Sequence, residues 1–274
     1  MKAVFYWILA ILITFVAIIY QRATGPTYDK HVKTTIDGTD YHFKLVRSHG
    51  GEDDCKIDLA MPDKDVSGVL MYRKYPTRND WNTVQMDREQ DNLEGYLPHL
   101  PPAGKYEYKI TLEKNGKKYQ LNEGQSVIIR FKGAVPAGVL IPHIFFMFFA
   151  MLLANLAGIM AIFKYRKFRF YTNITVIALF IGGMILGPLV QWYAFNEAWA
   201  GVPFAWDLTD NKTLIAFLFW ILAFLMNRKK ERPVYTIIAS IVMLVVYSIP
   251  HSMFGSELDP ETGEIIQGMI LLFL

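Results

Sequence analysis

Long apolar blocks alternate with short, strongly basic hinges, and this alternation constrains the chain more than any other feature. Apolar runs occupy Ala3–Tyr20, Ala137–Phe163, Tyr171–Phe195, Leu214–Met226 with its flanks, and Val234–Phe254. A helix needs about 20 apolar residues to cross ~30 Å of hydrocarbon, so these five segments read as candidate membrane spans. Most of the charge falls between them, above all in residues 21–133. That segregation marks a membrane protein carrying one polar domain.

The hinges set an orientation. Lys164, Arg166, Lys167 and Arg169 join the second and third runs; Arg228, Lys229, Lys230 and Arg232 join the fourth and fifth. Cytoplasmic loops carry the excess of Lys and Arg, so both hinges are expected in the cytoplasm. The intervening loop, Asn196–Thr213, has Lys212 as its sole cation and is expected outside. Five spans then place the N-terminus inside, and residues 21–136 and the C-terminus outside. In a bacterium this is a multi-pass protein of the inner (cytoplasmic) membrane with a periplasmic or extracellular domain. The first run lacks a good small-residue cleavage site and reads as an uncleaved anchor.

The expected fold class is therefore an α+β membrane protein, a five-helix transmembrane bundle with an inserted immunoglobulin-like β-sandwich outside the membrane. The expected division is an anchor helix over 1–22, the β-domain over 27–133, four further helices over 137–256 and an apolar tail over 257–274. Within the β-domain, Asp37-Gly38 and Asn115-Gly116 each sit between extended runs, the strongest short-range hairpin signal. Residues 97–112, LPHLPPAGKYEYKITL, resemble the strand E to strand F corner of fibronectin type III and related immunoglobulin-like domains. The resemblance implies that Leu100, Pro102, Gly104 and Tyr106 take the corner positions, with the Tyr106 hydroxyl bonded back to the corner backbone. It is confined to this corner and implies a fold, not an activity.

Net charge is +3, too small to argue for nucleic acid, and the single cysteine, Cys55, excludes an intrachain disulfide. The polar residues inside the apolar runs are more informative. His143, Met147, Met151 and Asn155 recur every four residues and share a helical face. His143 lies about 9 Å into its span, where an ionisable group is a functional candidate by default. Ile-Pro-His recurs at Ile249, Pro250 and His251, and Gly187-Pro188 precedes Gln191. Each proline is expected to kink its helix, freeing the carbonyls of Val246 and Met184. Asp210 or Asn211 is expected to cap the fourth span.

Together these predict an outward-facing polar pocket. His143, Gln191 and His251 form its floor; Asp207, Asp210, Lys212, Ser252, Glu257 and Asp259 form its rim. Three functions fit. The first is a non-catalytic binding or assembly subunit, whose partners are the lipid bilayer and another membrane or periplasmic protein. The second is a haem b or copper protein using His143 and His251 with Met147 and Met151, a plan broadly similar to that of some bacterial copper-handling proteins. The third is a membrane-embedded metal-dependent hydrolase drawing on His251, Ser252, Asp207 and Glu257.

Overall fold

The computed structural model describes residues 2–250, 257–259, 262, 263, 265 and 266. It divides into two compact units, one of residues 1–26, 135–256 and 267–274, the other of residues 27–134 and 257–266. The protein is thus mixed helix and sheet, with several apolar helices.

The first unit is helical. Its elements are α1 (Lys2–Thr24), α2 (Ala137–Ile162), α3 (Phe168–Leu179), α4 (Gly187–Phe195), α5 (Leu208–Asn227) and α6 (Pro233–Ser248), with a π-helical segment, Phe180–Leu186, fusing α3 to α4. Among the described residues, four runs are long and apolar enough to cross a membrane: Lys2–Thr24, Ala137–Ile162, Phe168–Phe195 and Leu208–Asn227. The most enclosed is α2, and small residues make its close contacts possible. Ala150, Ala154 and Ala157 are buried among Ala178, Ala216, Ala223 and Ala239, and Trp220 fills the space these short side chains leave. Because apolar packing alone gives little drive in lipid, polar side chains often join helices. Here Asn155 donates to the Thr14 hydroxyl at 2.9 Å, tying α2 to α1, and Thr172 and Thr236 bond at 3.2 Å between α3 and α6.

Both basic hinges lie at one end of this unit. An Arg169 guanidinium N–H donates to the Arg228 carbonyl at 2.8 Å, and Arg166 pairs with Glu231 at 3.7 Å. The start of α1 lies at the same end, where Tyr6 stacks on Phe163 with ring centroids 5.2 Å apart.

The fifth apolar run departs from expectation. Rather than continuing kinked through Pro250, α6 stops at Ser248, and Ile249 is extended at φ −76° and ψ 120°. The ring of Pro250 drives the preceding residue out of the α region. The helix therefore ends before the proline, and Val246 is not the freed carbonyl of a kink. Its 16 residues span about 24 Å. The remainder of the expected span, from His251, lies outside the described residues. At Gly187-Pro188 the helix does continue: the Gly187 N–H reaches back five residues to the Gly182 carbonyl.

The second unit is built of strands. β3 (Ser48–Gly50), β11 (Val127–Lys132), β9 (Lys105–Lys114), β5 (Ser67–Lys74) and β6 (Asn82–Gln85) lie side by side in that order, and β10 (Lys117–Gln120) also pairs with β9. A second sheet runs β4 (Cys55–Ala60), β8 (Asn92–Leu97), β7 (Asp87–Glu89). β1 (Lys30–Ile36) and β2 (Thr39–Leu45) form a separate hairpin, as do β12 (Glu257–Leu258) and β13 (Ile265–Ile266). The pairings are antiparallel except for β3 with β11. Both hairpin signals hold: Asp37 and Gly38, then Asn115 and Gly116, all have positive φ, as a two-residue turn between twisted strands requires. Alternation does the rest. Ile57, Leu59, Leu70, Leu93, Tyr108, Ile110, Leu112, Ile129 and Phe131 point into one core shared by the sheets.

The corner at 97–112 is tight: a Cβ on Gly104 would come within 2.8 Å of Leu100 Cβ and 2.9 Å of the Pro101 carbonyl. Its tyrosine is displaced, however. Tyr106 packs edge-on against Tyr72 and Phe131, whereas the hydroxyl bonded to backbone is that of Tyr108, which donates to the Val46 carbonyl at 2.8 Å. Both rings face inward, two residues apart on one strand; the one nearer the middle of β9 reaches the connection after β2. Tyr108→Phe is expected to cost the unit ~1–2 kcal/mol, since it removes a part-buried hydrogen bond and leaves its acceptor without the hydroxyl, and thermal unfolding of the variant measures this.

Candidate functional site

The polar residues of the helical unit gather where the loop 196–207 meets the start of α5. The helix begins earlier than the apolar run suggests, and this shifts its cap. Asp207, rather than Asp210 or Asn211, is the N-cap: its carboxylate accepts from the Thr209 N–H at 2.7 Å and the Asp210 N–H at 3.3 Å, satisfying two orphan donors of the first turn. The Asp207 N–H also donates to the Ala200 carbonyl at 2.8 Å.

The next residues pin the loop to the helix. Asp210 Oδ2 accepts from the Ala200 N–H at 2.6 Å and from Gln191 Nε2 at 3.0 Å. Asn211 Oδ1 accepts from the Val202 N–H at 2.8 Å. Gly201 makes this approach possible, because a Cβ there would lie 2.8 Å from Asp210 Cβ and 2.9 Å from Asn211 Oδ1. The loop is thus a compact, internally bonded turn, yet its tip is bare: Phe204 is 81% and Trp206 67% exposed.

Lys212, one turn further along α5, is buried at 5% exposure. Its ammonium donates to the Ile249 carbonyl at 2.8 Å and the Pro250 carbonyl at 3.4 Å. These acceptors follow the end of α6, where carbonyls have no partner within the helix and a cation is favoured. Lys212 therefore holds the chain after α6 against α5.

His143 lies along the same side of α4. Its Nδ1 is 2.9 Å from the Gly182 carbonyl. A carbonyl can only accept, so Nδ1 carries the proton, and a neutral ring presents its lone pair at Nε2. The ring's Cε1 is 3.9 Å from the position a Gly187 Cβ would take, and Gly187 is about one helical turn from Gln191. Glycine permits this arrangement: a Cβ on Gly182 would meet Phe146 Cβ at 2.9 Å and the Met147 backbone nitrogen at 3.2 Å, and one on Gly183 would meet the Thr213 methyl at 2.8 Å. At the π segment, α2 and α5 therefore approach this span closely. Gly182-Gly183 ahead of Gly187-Pro188 was the available signal for it.

The expected pocket residues fall in both units. Gln191, Asp207, Asp210 and Lys212 cluster at the start of α5, with His143 below them. Met147 and Met151 lie in the helical core, where the Met147 sulfur accepts weakly from the Tyr247 hydroxyl at 3.6 Å. Glu257 and Asp259 belong to the strand unit: Glu257 pairs with Lys105, and the Asp259 carbonyl accepts from the Gly263 N–H at 2.9 Å. His251 and Ser252 lie outside the described residues. Among the described residues, no three of His, Cys, Asp and Glu converge as a metal-binding group would.

Compared with protein-family models, curated proteins and solved structures, the chain matches none.

Proposed function

We propose that the chain is a multi-pass protein of a bacterial-type inner membrane that serves as a non-catalytic binding or assembly subunit. In this reading the helices form a transmembrane bundle. The N-terminus is cytoplasmic, the strand unit is an immunoglobulin-like sandwich on the periplasmic side, and a second membrane or periplasmic protein docks there. One observation carries the reading: the polar groups at the start of α5 are spent on holding backbone. Asp207 caps a helix, Asp210 and Asn211 fix loop amides, and Lys212 takes the carbonyls after α6. Such an arrangement suits a rigid platform.

The strand order adds support. β4-β8-β7 beside β5-β9-β11 follows the B-E-D and C-F-G order of immunoglobulin-like sandwiches. The contact between the hinges through Arg169 and Arg228 supports placing both on one membrane face. Purification of the full-length protein from its native membrane in gentle detergent tests the proposal. A second polypeptide in fixed ratio is expected; a chain that elutes alone contradicts it.

A second reading, a haem- or copper-binding protein, draws on His143. Metal-ligating histidines commonly donate the other ring N–H to a carbonyl, which is the bond His143 makes to Gly182. Absorbance and elemental analysis of the purified protein separate the two readings. Stoichiometric haem or copper that is lost in His143→Ala favours the second.

A further inference from the structure

We infer that the open edge of β1 is a docking site for an extended, acidic peptide strand, which adds to the hairpin by backbone pairing. The inference deepens the docking role proposed above by naming the surface and the chemistry of the partner.

β1 pairs with β2 on one side and with no strand on the other among the described residues. Ile36 and Thr39 flank the two-residue Asp37-Gly38 turn, which makes them a pair that exchanges both hydrogen bonds. Counting back by twos, Thr34, Val32 and Lys30 also bond to β2. The N–H and C=O groups of His31, Lys33 and Thr35 therefore point to the open edge, and no backbone partner for them is present among the described residues.

A groove of about 520 Å³ runs along this edge. Lys30, His31 and Lys33 line one wall, and Gln120, Asn122 and Gln125 the other. The far wall carries an unusual turn. Asn122, Glu123 and Gly124 are three successive residues with positive φ, at 54°, 56° and 75°, a left-handed conformation that side chains disfavour. The turn is closed by the Gln125 N–H to the Asn122 carbonyl at 2.9 Å and by Asn122 Nδ2 to the Gln125 carbonyl at 3.0 Å. Its amide side chains can donate to or accept from a peptide lying between the walls.

Charge selects the occupant. Lysines on an edge strand deter pairing with an ordinary strand, and here Lys30 and Lys33 face a single lining carboxylate, that of Glu123. Lys33 is shared with Asp40 at 2.7 Å; among the described residues no ion pair engages Lys30. Lys30 and Lys33 leave opposite faces of β1, so a strand with carboxylates on both faces, three residues apart, would set one toward each cation while its backbone met the open-edge groups of His31, Lys33 and Thr35. Strand addition of this kind draws affinity from the backbone and specificity from the side chains.

The test uses the full-length protein in detergent and two fluorescein-labelled peptides, Thr-Glu-Glu-Val-Glu-Glu-Thr and its lysine counterpart, read by anisotropy. Saturable binding of the acidic peptide alone is expected, weakening as salt rises. Lys33→Pro removes one open-edge donor and no bond to β2, so the hairpin persists and affinity falls by about tenfold or more. Lys33→Ala keeps that donor and loses only what the Lys33 charge contributes, so it binds more tightly than Lys33→Pro. Equal loss in both Lys33 variants, or binding indifferent to Lys33→Pro, overturns strand addition, as does failure of the acidic peptide to bind. The peptide assay is independent of co-purification. A partner that still co-purifies while the peptide fails leaves the docking role standing and removes this edge from it; absence of any partner removes the role itself.

Discussion

Gly182→Val is expected to destabilise the helical unit strongly. Even a methyl at this position would lie 2.9 Å from Phe146 Cβ, 3.0 Å from the Met147 sulfur and 3.2 Å from the Met147 backbone nitrogen. A sulfur can swing away; a backbone nitrogen in the middle of α2 cannot. The helices must separate, and overpacking of this kind costs ~1–3 kcal/mol or more. For a unit of this size that lowers the melting temperature by roughly 2–4 °C per kcal/mol. The change also moves the carbonyl that fixes His143, so the imidazole loses its 2.9 Å bond. Gly182→Ala should fall between wild type and valine. Heating the detergent-solubilised variants and following the surviving monodisperse fraction by size exclusion measures the series. A valine variant as stable as wild type would mean that α2 and the π segment do not pack as described.

Asp210→Ala is the second large effect. The substitution leaves the Ala200 N–H, on a residue with no exposed surface, and the Gln191 amide without their acceptor. Losing hydrogen bonds to an acidic group and burying an unpaired donor together cost ~2–4 kcal/mol. Two signatures identify the cause as release of the loop. Proteolysis within 196–207 should accelerate, and the fluorescence of Trp199 and Trp206 should shift. Asp210→Asn keeps one side-chain oxygen for the Ala200 N–H and should retain part of the stability. Unchanged proteolysis in Asp210→Ala would show that the other pins suffice.

The sequence was most legible where one local rule acted alone. Asp37-Gly38 and Asn115-Gly116 specify their hairpins because few residues adopt positive φ readily. The basic hinges, likewise, mark the ends of apolar helices. Legibility fell where tertiary partners decided. The start of α5 lies at Leu208, within a polar stretch that hydropathy excludes, because Asp207 caps it and the loop supplies further bonds. α6 ends before Pro250, a boundary the proline itself could have signalled. The π segment needed the glycine pair to be read against neighbouring helices. Glu257 is engaged by Lys105 of β9, a pairing that no spacing in the sequence announces.

The central claim is that the helices span a membrane with both hinges on its cytoplasmic side and the strand unit and the loop 196–207 on the other. Cysteine accessibility tests it, and the native chain provides a quiet background. Its one cysteine, Cys55, is buried at 2% exposure, and burial pushes its thiol up to about 11, so the nucleophilic thiolate is scarce at neutral pH. The folded wild type is therefore expected to resist a membrane-impermeant maleimide. Single cysteines would be placed at the exposed positions Asp65, Lys167, Phe204 and Lys230. In right-side-out vesicles Asp65→Cys and Phe204→Cys should label, while Lys167→Cys and Lys230→Cys should react only in inverted vesicles. Labelling of either hinge from the same side as Asp65→Cys would contradict the account.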